Sequence, residues 1–374
     1  MTDWKGISKW ELDTPCLVID IDKLDENIKK MQDFASASGK KLRPHAKTHK
    51  CTTLAKRQLA AGSIGICAAK LSEAEKLLAA GIKNVLITSP VVSREKIRRL
   101  MKCLENAPEL ILAIDNIDNA VCLSAEAKSK HLRLNVVADI NPEMGRTGVS
   151  FKDAFEFGKF INSLPGLKFR GIQCYAGQLQ HIASYDIRQS ASLECLKKAA
   201  GIFRQMKDAG LAPEIFTGTG TGTYDIDSQI PEVTELQVGS YTVMDSEYMN
   251  IGSVSRPDRF DTFKPALSIL SGVVSVNQPH SFTIDAGLKA IYFNREAPPK
   301  IICPRDKSWE YTWFGDEHGK ITVEATEEKP GLGTVIELTA SHCDPTINLH
   351  DFFYVTQNDI VIDRWPIDLR GCCQ

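Results

Sequence analysis

Three stretches of this chain carry side chains whose types and spacing suit chemistry on a small molecule. The first is Arg43-Pro44-His45-Ala46-Lys47-Thr48-His49-Lys50. On a strand, Arg43, His45 and Lys47 share one face, with Pro44 and Ala46 on the other. Cationic neighbours and limited water should lower the amine pKa of Lys47, which suits an amine that condenses with a carbonyl. The same residues would also form an exposed basic rim. The second stretch is Thr217-Gly218-Thr219-Gly220-Thr221-Gly222-Thr223-Tyr224. Its alternating glycines let the backbone approach an anion, and successive N–H groups can form a phosphate nest. Thr219, Thr221 and Thr223 add hydroxyl donors. The stretch has neither the full GxGxxG spacing nor the GK[ST] of a P-loop, so it is not a dinucleotide or nucleoside-triphosphate fingerprint. A flexible turn is the plain alternative. The third is Ser341-His342-Cys343-Asp344-Pro345. In an extended segment His342 and Asp344 face the same way and can bind one divalent metal, while Cys343 faces away. An imidazole with a carboxylate favours Mn²⁺ or Mg²⁺ over Zn²⁺. A turn with a hydrogen-bonded histidine is the alternative.

Smaller signals accompany these. Asp316-Glu317-His318-Gly319 could supply an acid–base group or support a metal, or could be a capped turn. Arg146 follows a predicted strand, Tyr175 ends one, and the triplet Gly239-Ser240-Tyr241 falls in the last part of another. Taken singly, Arg146 and Tyr175 read as surface loop residues.

The elements that must position these residues follow from hydrophobic rhythm. Ile21, Leu24, Ile28 and Met31 fall at helical spacing within 21–39. Strands are predicted at 41–46, 65–70, 84–89, 110–115, 132–140, 169–175, 214–218 and 235–243, with helices at 52–61, 72–80, 93–106, 117–129, 151–164 and 184–209. Strands alternating with helices mean a parallel sheet, and eight units fit a TIM (β/α)8 barrel better than an open sheet. Lys47 then falls at the C-terminal end of the first barrel strand, where active sites of such barrels lie, and the Gly/Thr stretch falls in the loop region that commonly binds phosphate. After about residue 255 the pattern becomes period-2 strands separated by Gly, Pro and Asn turns. The organisation read from this is a barrel at 21–255 and a mainly antiparallel β-domain at 256–374 that carries the metal pair. The N-terminal strand at 8–20 joins the β-domain.

Composition narrows the class of partner. The 374 residues hold 45 Lys+Arg against 47 Asp+Glu, a net charge of −2, which gives no broad attraction to nucleic acid or an anionic membrane. No run approaches a membrane span and no signal-peptide h-region opens the chain. Eleven scattered cysteines without a dense disulfide spacing point to free thiols in a cytoplasmic protein.

A mouth lysine, a mouth arginine and a phosphate nest together define a pocket for a phosphorylated aldehyde. In these residues the chain resembles the fold-type III pyridoxal-phosphate enzymes, an alanine racemase-like barrel followed by a β-domain. Within them it is most similar to the D-threonine aldolase, D-3-hydroxyaspartate aldolase and D-serine dehydratase group. The resemblance runs nearly the whole chain, through Asp13-Thr14-Pro15, the 43–50 segment, Gly65-Ile66-Cys67, Ser72-Glu73-Ala74-Glu75, the Gly/Thr loop, Gly239-Ser240-Tyr241, DEHG at 316–319 and SHCDP at 341–345. It implies that Lys47 is the Schiff-base lysine and that Arg146 lies beside the cofactor's phenolic oxygen. It implies that Tyr175, Gly218, Thr219, Gly220, Thr221, Gly239, Ser240 and Tyr241 complete the cofactor site, and that His342 and Asp344 hold the metal. The aldolases of the group carry HxD, as here, whereas the eukaryotic-type D-serine dehydratases carry HxC. The implied activity is cleavage of a D-3-hydroxy amino acid to glycine and an aldehyde, with His45 or a water held by Asp316 as base, in a homodimer. Dehydration to a keto acid and ammonia, racemisation, and a cofactor carrier without catalysis are the rival readings. A cofactor-independent sugar-phosphate barrel would need neither Lys47 nor HxD.

Overall fold

The computed structural model describes residues 4–324 and 326–374. The chain divides into two compact units. One comprises the N-terminal segment up to Lys29, Thr48–Thr53 and Ser240–Gly371; the other comprises Lys30–Lys47, Leu54–Gly239 and Cys372–Gln374. The main division at Gly239/Ser240 falls ahead of the 255/256 boundary drawn from patterning.

Strand β1 (Cys16–Asp20) runs directly into helix α1 (Ile21–Ala37). A strand–helix alternation follows: β2 (Lys41–Leu42), α2 (Thr52–Ala60), β3 (Ile66–Ala68), α3 (Leu71–Ala79), β4 (Val85–Ile87), α4 (Arg94–Asn106), β5 (Ile111–Ile114) and α5 (Ile117–Ser129). It continues with β6 (Leu134–Asp139), α6 (Ala154–Ser163), β7 (Leu167–Gln173), α7 (Tyr185–Asp208), β8 (Ile215–Thr219), α8 (Tyr224–Asp227) and β9 (Glu235–Leu236). Helix starts are fixed by side-chain caps: Ser93, Asn116 and Ser184 accept hydrogen bonds from the backbones of Lys96, Asn119 and Ile187.

Strands β2 to β9 form one eight-stranded parallel sheet in the order β2-β9-β8-β7-β6-β5-β4-β3. A parallel bridge between His45 and Cys67 joins its two outer strands, with Ala46 N–H donating to Cys67 O (2.9 Å) and Cys67 N–H to Pro44 O (2.8 Å). The sheet therefore closes as an eight-stranded parallel barrel. Its interior is packed with buried residues from successive strands, among them Cys67, Leu86, Ile111, Ala113, Val137 and Ile215. The strand predicted over 235–243 ends at Leu236. The chain still tracks β2's continuation, His45 N–H donating to Val238 O, and then coils into a 3-10 turn at Ser240–Thr242.

The second unit carries α9 (Ser246–Met249) and α10 (Cys343–Ile347) with strands β10 (Leu267–Ser275), β11 (Ser281–Ile284), β12 (Ile301–Cys303), β13 (Glu310–Trp313), β14 (Gly319–Thr322), β15 (Val335–Leu338), β16 (Phe352–Gln357) and β17 (Ile360–Pro366). These strands form a mostly antiparallel nine-stranded sheet in which β1 lies between β10, antiparallel, and β16, parallel. Leu12, Cys16, Val18, Leu270 and Val361 make its local core. The three residues of β12 are all half-buried, so no apolar–polar alternation marks them. All eleven cysteines are free, and no described helix is long and apolar enough to cross a membrane.

Candidate active site

In the barrel unit, polar side chains at the C-terminal ends of strands form a connected network. Gln173, the last residue of β7, donates from Nε2 to Thr88 O (3.0 Å) and to Asp139 Oδ1 (2.9 Å), while its Oε1 accepts from Gln237 Nε2 (3.1 Å). Thr147 Oγ1 donates to the other Asp139 oxygen at 2.7 Å. Burial pushes the Asp139 carboxyl up to about 6, against the opposing pull of these hydrogen bonds. His45 joins the same network. Its Nδ1 accepts the Lys47 N–H (3.3 Å) and its Nε2 lies 3.1 Å from Thr88 Oγ1, which in turn donates to Ala68 O. Both ring nitrogens are engaged, so His45 ties the half-buried Lys47 to the barrel wall. Beneath it, the buried Arg43 guanidinium pairs with Glu235, Nε to Oε2 at 2.8 Å and Nη2 to Oε1 at 3.1 Å. The Arg146 guanidinium, on an exposed residue, lies 5.5 Å from the centre of the Tyr175 ring.

The Gly/Thr stretch leaves β8 as a wholly buried turn, Gly218 to Thr223. Gly218 has φ +145°, and a Cβ there would collide with the Cys174 carbonyl. A Cβ on Gly220 would collide with the Gln180 side chain, and one on Gly222 with the Gln180 carbonyl. The glycines are thus required by the protein's own close packing, whatever anion approaches from outside. Gln180 also accepts the Gly222 N–H at Oε1 (3.0 Å) and donates from Nε2 to Thr223 Oγ1 (3.0 Å). Under the loop sits Asp227, fully buried. It accepts from Thr223 Oγ1 (2.7 Å), Ser192 Oγ (2.6 Å) and the Thr219 hydroxyl. This corrects the sequence reading, since the hydroxyl hydrogens of Thr219 and Thr223 are directed at Asp227 and are not offered to a ligand. Burial pushes Asp227 up to about 6. Arg188, also fully buried, donates from Nε to Gly222 O (2.8 Å) and braces the turn from the other side.

In the second unit, Asp245 caps α9 by accepting the Tyr248 N–H at Oδ1 (2.9 Å). Its Oδ2 accepts the Cys343 N–H (3.0 Å) and lies 2.8 Å from His342 Nδ1. The backbone reinforces this, with Ser246 N–H donating to Ala340 O and Glu247 N–H to Ser341 O. Asn294 adds a third element, its Nδ2 donating to Glu247 Oε1 (2.7 Å) and its N–H to Ser341 Oγ (3.2 Å). His342 is extended, but the chain turns helical directly after it, because 343–347 form α10 with His342 as its N-cap. The extended segment read from sequence is therefore corrected. Asp344 stands in the first turn of α10, half-buried, and the Cys343 thiol donates to Asp344 Oδ1 at 3.5 Å. Burial of His342 favours the neutral ring, but Asp245, Asp344 and Glu247 outweigh it and push the imidazole up to about 9. Burial pushes the Cys343 thiol well up. Ser240 bonds the Cys343 side chain, and Tyr241 is fully buried with its ring 5.7 Å from Phe263. Asp316 lies elsewhere in this unit, exposed in the turn between β13 and β14.

Residues 19–247 match the family described as alanine racemase, N-terminal domain, and residues 266–356 match a serine dehydratase domain. The 3-hydroxy-D-aspartate aldolase of Paracoccus denitrificans (strain Pd 1222) is 36% identical over 373 residues, covering 98% of this chain and 94% of the relative. The D-threonine aldolase of an Arthrobacter species is 36% identical over 362 residues, covering 96% and 93%. The crystal structure of D-threonine aldolase from Filomicrobium marinum superposes with a TM-score of 0.93 at 34% identity, covering 99% of this chain and 98% of that one. The chain belongs to the alanine racemase-like family, in its D-threonine aldolase group.

Within this family member, the residues the sequence reading missed are supporting ones: Asp139, Gln173, Gln180, Asp227 and Asp245. A partial signal existed. Asp139 and Gln173 are polar residues that end apolar strands, the position at which barrel enzymes place functional groups. Asp227 and Asp245 had none, since a buried carboxylate under a loop is specified only by tertiary packing.

The donor sets fit the two groups the family implies. The barrel unit offers a half-buried amine at a strand end, a guanidinium on Tyr175, and a buried Gly/Thr turn opening beside Thr217, whose buried Oγ1 has no hydrogen-bond partner. The second unit offers an imidazole with one nitrogen held by a carboxylate and a second carboxylate two residues on.

Proposed function

We propose that this protein is a carbon–carbon lyase that cleaves D-3-hydroxy amino acids of the D-threonine kind to glycine and an aldehyde, using pyridoxal 5'-phosphate and a divalent metal. The observation that carries this reading is the His342 ring, held by the buried Asp245 at 2.8 Å and acted on electrostatically by Asp344. Support comes from relatives that bear aldolase names and are 36% identical over nearly the whole chain.

In this reading Lys47 is the amine that holds the cofactor, and Arg146, Tyr175, Gly218, Thr219, Gly220, Thr221, Gly239, Ser240 and Tyr241 seat its ring and phosphate. When bound, the cofactor supplies a sink for the electron pair released from the Cα–Cβ bond. His342 and Asp344 hold the metal, and a donor set of imidazole and carboxylate favours Mn²⁺ or Mg²⁺ over Zn²⁺. The metal supplies positive charge that lowers the pKa of the substrate's β-hydroxyl. Of the two base candidates, Asp316 has the solvent-exposed carboxylate, while His45 has both ring nitrogens hydrogen-bonded. We therefore assign the hydroxyl proton to a water held by Asp316 and the positioning of Lys47 to His45. The small D-amino acid is the partner; a homodimer in the cytoplasm completes the reading.

Product analysis with D-threonine and D-3-hydroxyaspartate, with and without chelator, tests it. Glycine and an aldehyde are expected, and they should vanish with the metal. A keto acid and ammonia would make the protein a dehydratase, and an L-amino acid a racemase.

A further inference from the structure

The side chains Asp245, His342 and Cys343 bring a carboxylate oxygen, a ring nitrogen and a sulfur within 4.8 Å of one another, a spacing at which all three could be ligands to one ion. The hydrogen bonding assigns them differently. We propose that Asp245 is a positioning residue: it donates no ligand, and it fixes His342 with the hydrogen on Nδ1 so that Nε2 is the nitrogen presented to the metal. This rests on the reading of His342 as a metal ligand.

Asp245 is fully buried and both of its oxygens are already in use. Oδ1 accepts the Tyr248 N–H at 2.9 Å, and Oδ2 accepts the Cys343 N–H at 3.0 Å. Both acceptor sites of Oδ2 are taken, by the Cys343 N–H and the His342 ring, so coordination through Oδ2 would leave a buried group unpaired at a cost of about 1–3 kcal/mol. An oxygen that already accepts one N–H faces Nδ1 at 2.8 Å, so the ring supplies the hydrogen of that contact. A neutral imidazole with its hydrogen on Nδ1 has its lone pair on Nε2. Carboxylates that hold a metal-binding histidine this way fix both the tautomer and the orientation of the ring, and their loss commonly weakens metal binding about 10- to 100-fold.

The local chain is built to hold Asp245 still. It is the N-cap of α9, and the two residues after it are hydrogen-bonded to Ala340 and Ser341, immediately before His342. Asp245 and His342 are 97 residues apart in sequence, yet their backbones are laced together on either side of the contact.

The experiment uses holoenzyme stripped of metal by chelator and dialysis. Free Mn²⁺ is titrated by electron paramagnetic resonance in the wild type, Asp245→Asn, Asp344→Ala and His342→Gln. In Asp245→Asn the Mn²⁺ dissociation constant should rise about 10- to 100-fold, with the cofactor absorbance unchanged. X-ray absorption at saturating Mn²⁺ should show the same number of ligands as the wild type. An unchanged constant in the folded variant overturns the proposal, and so does the loss of one oxygen ligand, which would make Asp245 a ligand itself. If Asp245→Asn does not fold, ¹⁵N spectra of histidine-labelled wild-type holoenzyme loaded with Mg²⁺ decide, with His342→Gln identifying the resonance. A protonated Nδ1 supports the proposal and a protonated Nε2 ends it. If His342→Gln binds Mn²⁺ as the wild type does, the metal assignment itself fails, and the Asp245 role fails with it.

Discussion

Asp227 under the Gly/Thr loop and Asp245 behind His342 are both wholly buried, yet their carboxyls shift in opposite directions. Burial alone raises a carboxyl pKa, and Asp227 follows it up to about 6, because its partners are the hydroxyls of Ser192, Thr223 and Thr219. Asp245 is held below its ordinary value although burial acts on it as well. The His342 ring and the amides of Tyr248 and Cys343 overcome that penalty. The same residue type is thus a more readily protonated brace in the barrel unit and a firm anion in the other. The difference matches the proposed uses. A dianionic phosphate is better served by a support that can shed its charge, while a cation needs a support that keeps its own. Two proposed groups of residues with separate supports should also fail separately, and that separation can be attacked directly.

The largest effect is expected at the barrel site. Lys47→Ala should abolish the visible absorbance of bound cofactor and turnover together, while Mn²⁺ affinity stays at the wild-type value. A covalent cofactor adduct at another lysine would show the assignment to be wrong. Next comes the metal site. Chelation, or Asp344→Ala, should lower turnover at least about 100-fold, the scale of a lost metal role in catalysis. The cofactor absorbance should be intact. A structural metal would instead lower the melting temperature without a selective loss of activity. Full activity in a sample shown by elemental analysis to be metal-free would end the mechanism.

The contrast also explains what was legible in the sequence. The groups proposed to touch ligands sit in short segments with unusual local composition, and Lys47, Gly218–Thr223 and His342–Asp344 could all be picked out by type and spacing. The barrel was legible as well, since each strand–helix unit carries its own period; the helix predicted over 117–129 is α5 residue for residue. The supports were not. Asp245 meets His342 across 97 residues and Thr219 meets Asp227 beneath a loop, so neither pairing leaves a local period. For the same reason the sequence reading assigned the Thr219 and Thr223 hydroxyls to the ligand. It read 341–345 as extended because nothing in a five-residue motif shows that Asp245 and the start of α10 share one carboxylate.

A smaller effect is expected from Gly220→Ala. The added Cβ meets the Gln180 side chain, which holds both Gly222 and Thr223. Overpacking of this kind costs about 1–3 kcal/mol. If the strain is relieved by moving the loop, cofactor affinity should fall about tenfold, the equivalent of about 1.4 kcal/mol. Mn²⁺ affinity should not change. Equal cofactor affinity in the folded variant would remove the loop from the cofactor site.

The smallest effect tests the barrel half of the comparison through its sign. Asp227 titrates near 6 in the folded chain, against about 3.9 for an unperturbed aspartate, so between these values the native state binds more protons than the unfolded one. Its contribution to stability is fully present below about pH 4 and is lost as pH rises through 6, by at most roughly 3 kcal/mol. Asn cannot ionise, and its amide oxygen can still accept from the hydroxyls around it. The stability of Asp227→Asn relative to wild type should therefore climb from pH 4 to pH 6 and then level off, amounting to a few degrees in melting temperature. The wild-type slope should not vanish in the variant, because Asp139 is raised to about 6 by burial in the same direction. Denaturant midpoints measured on both proteins between pH 4 and pH 7, without cofactor, give the difference directly. Parallel curves would mean that Asp227 is ionised throughout, as Asp245 is, and the contrast between the two carboxylates would be gone.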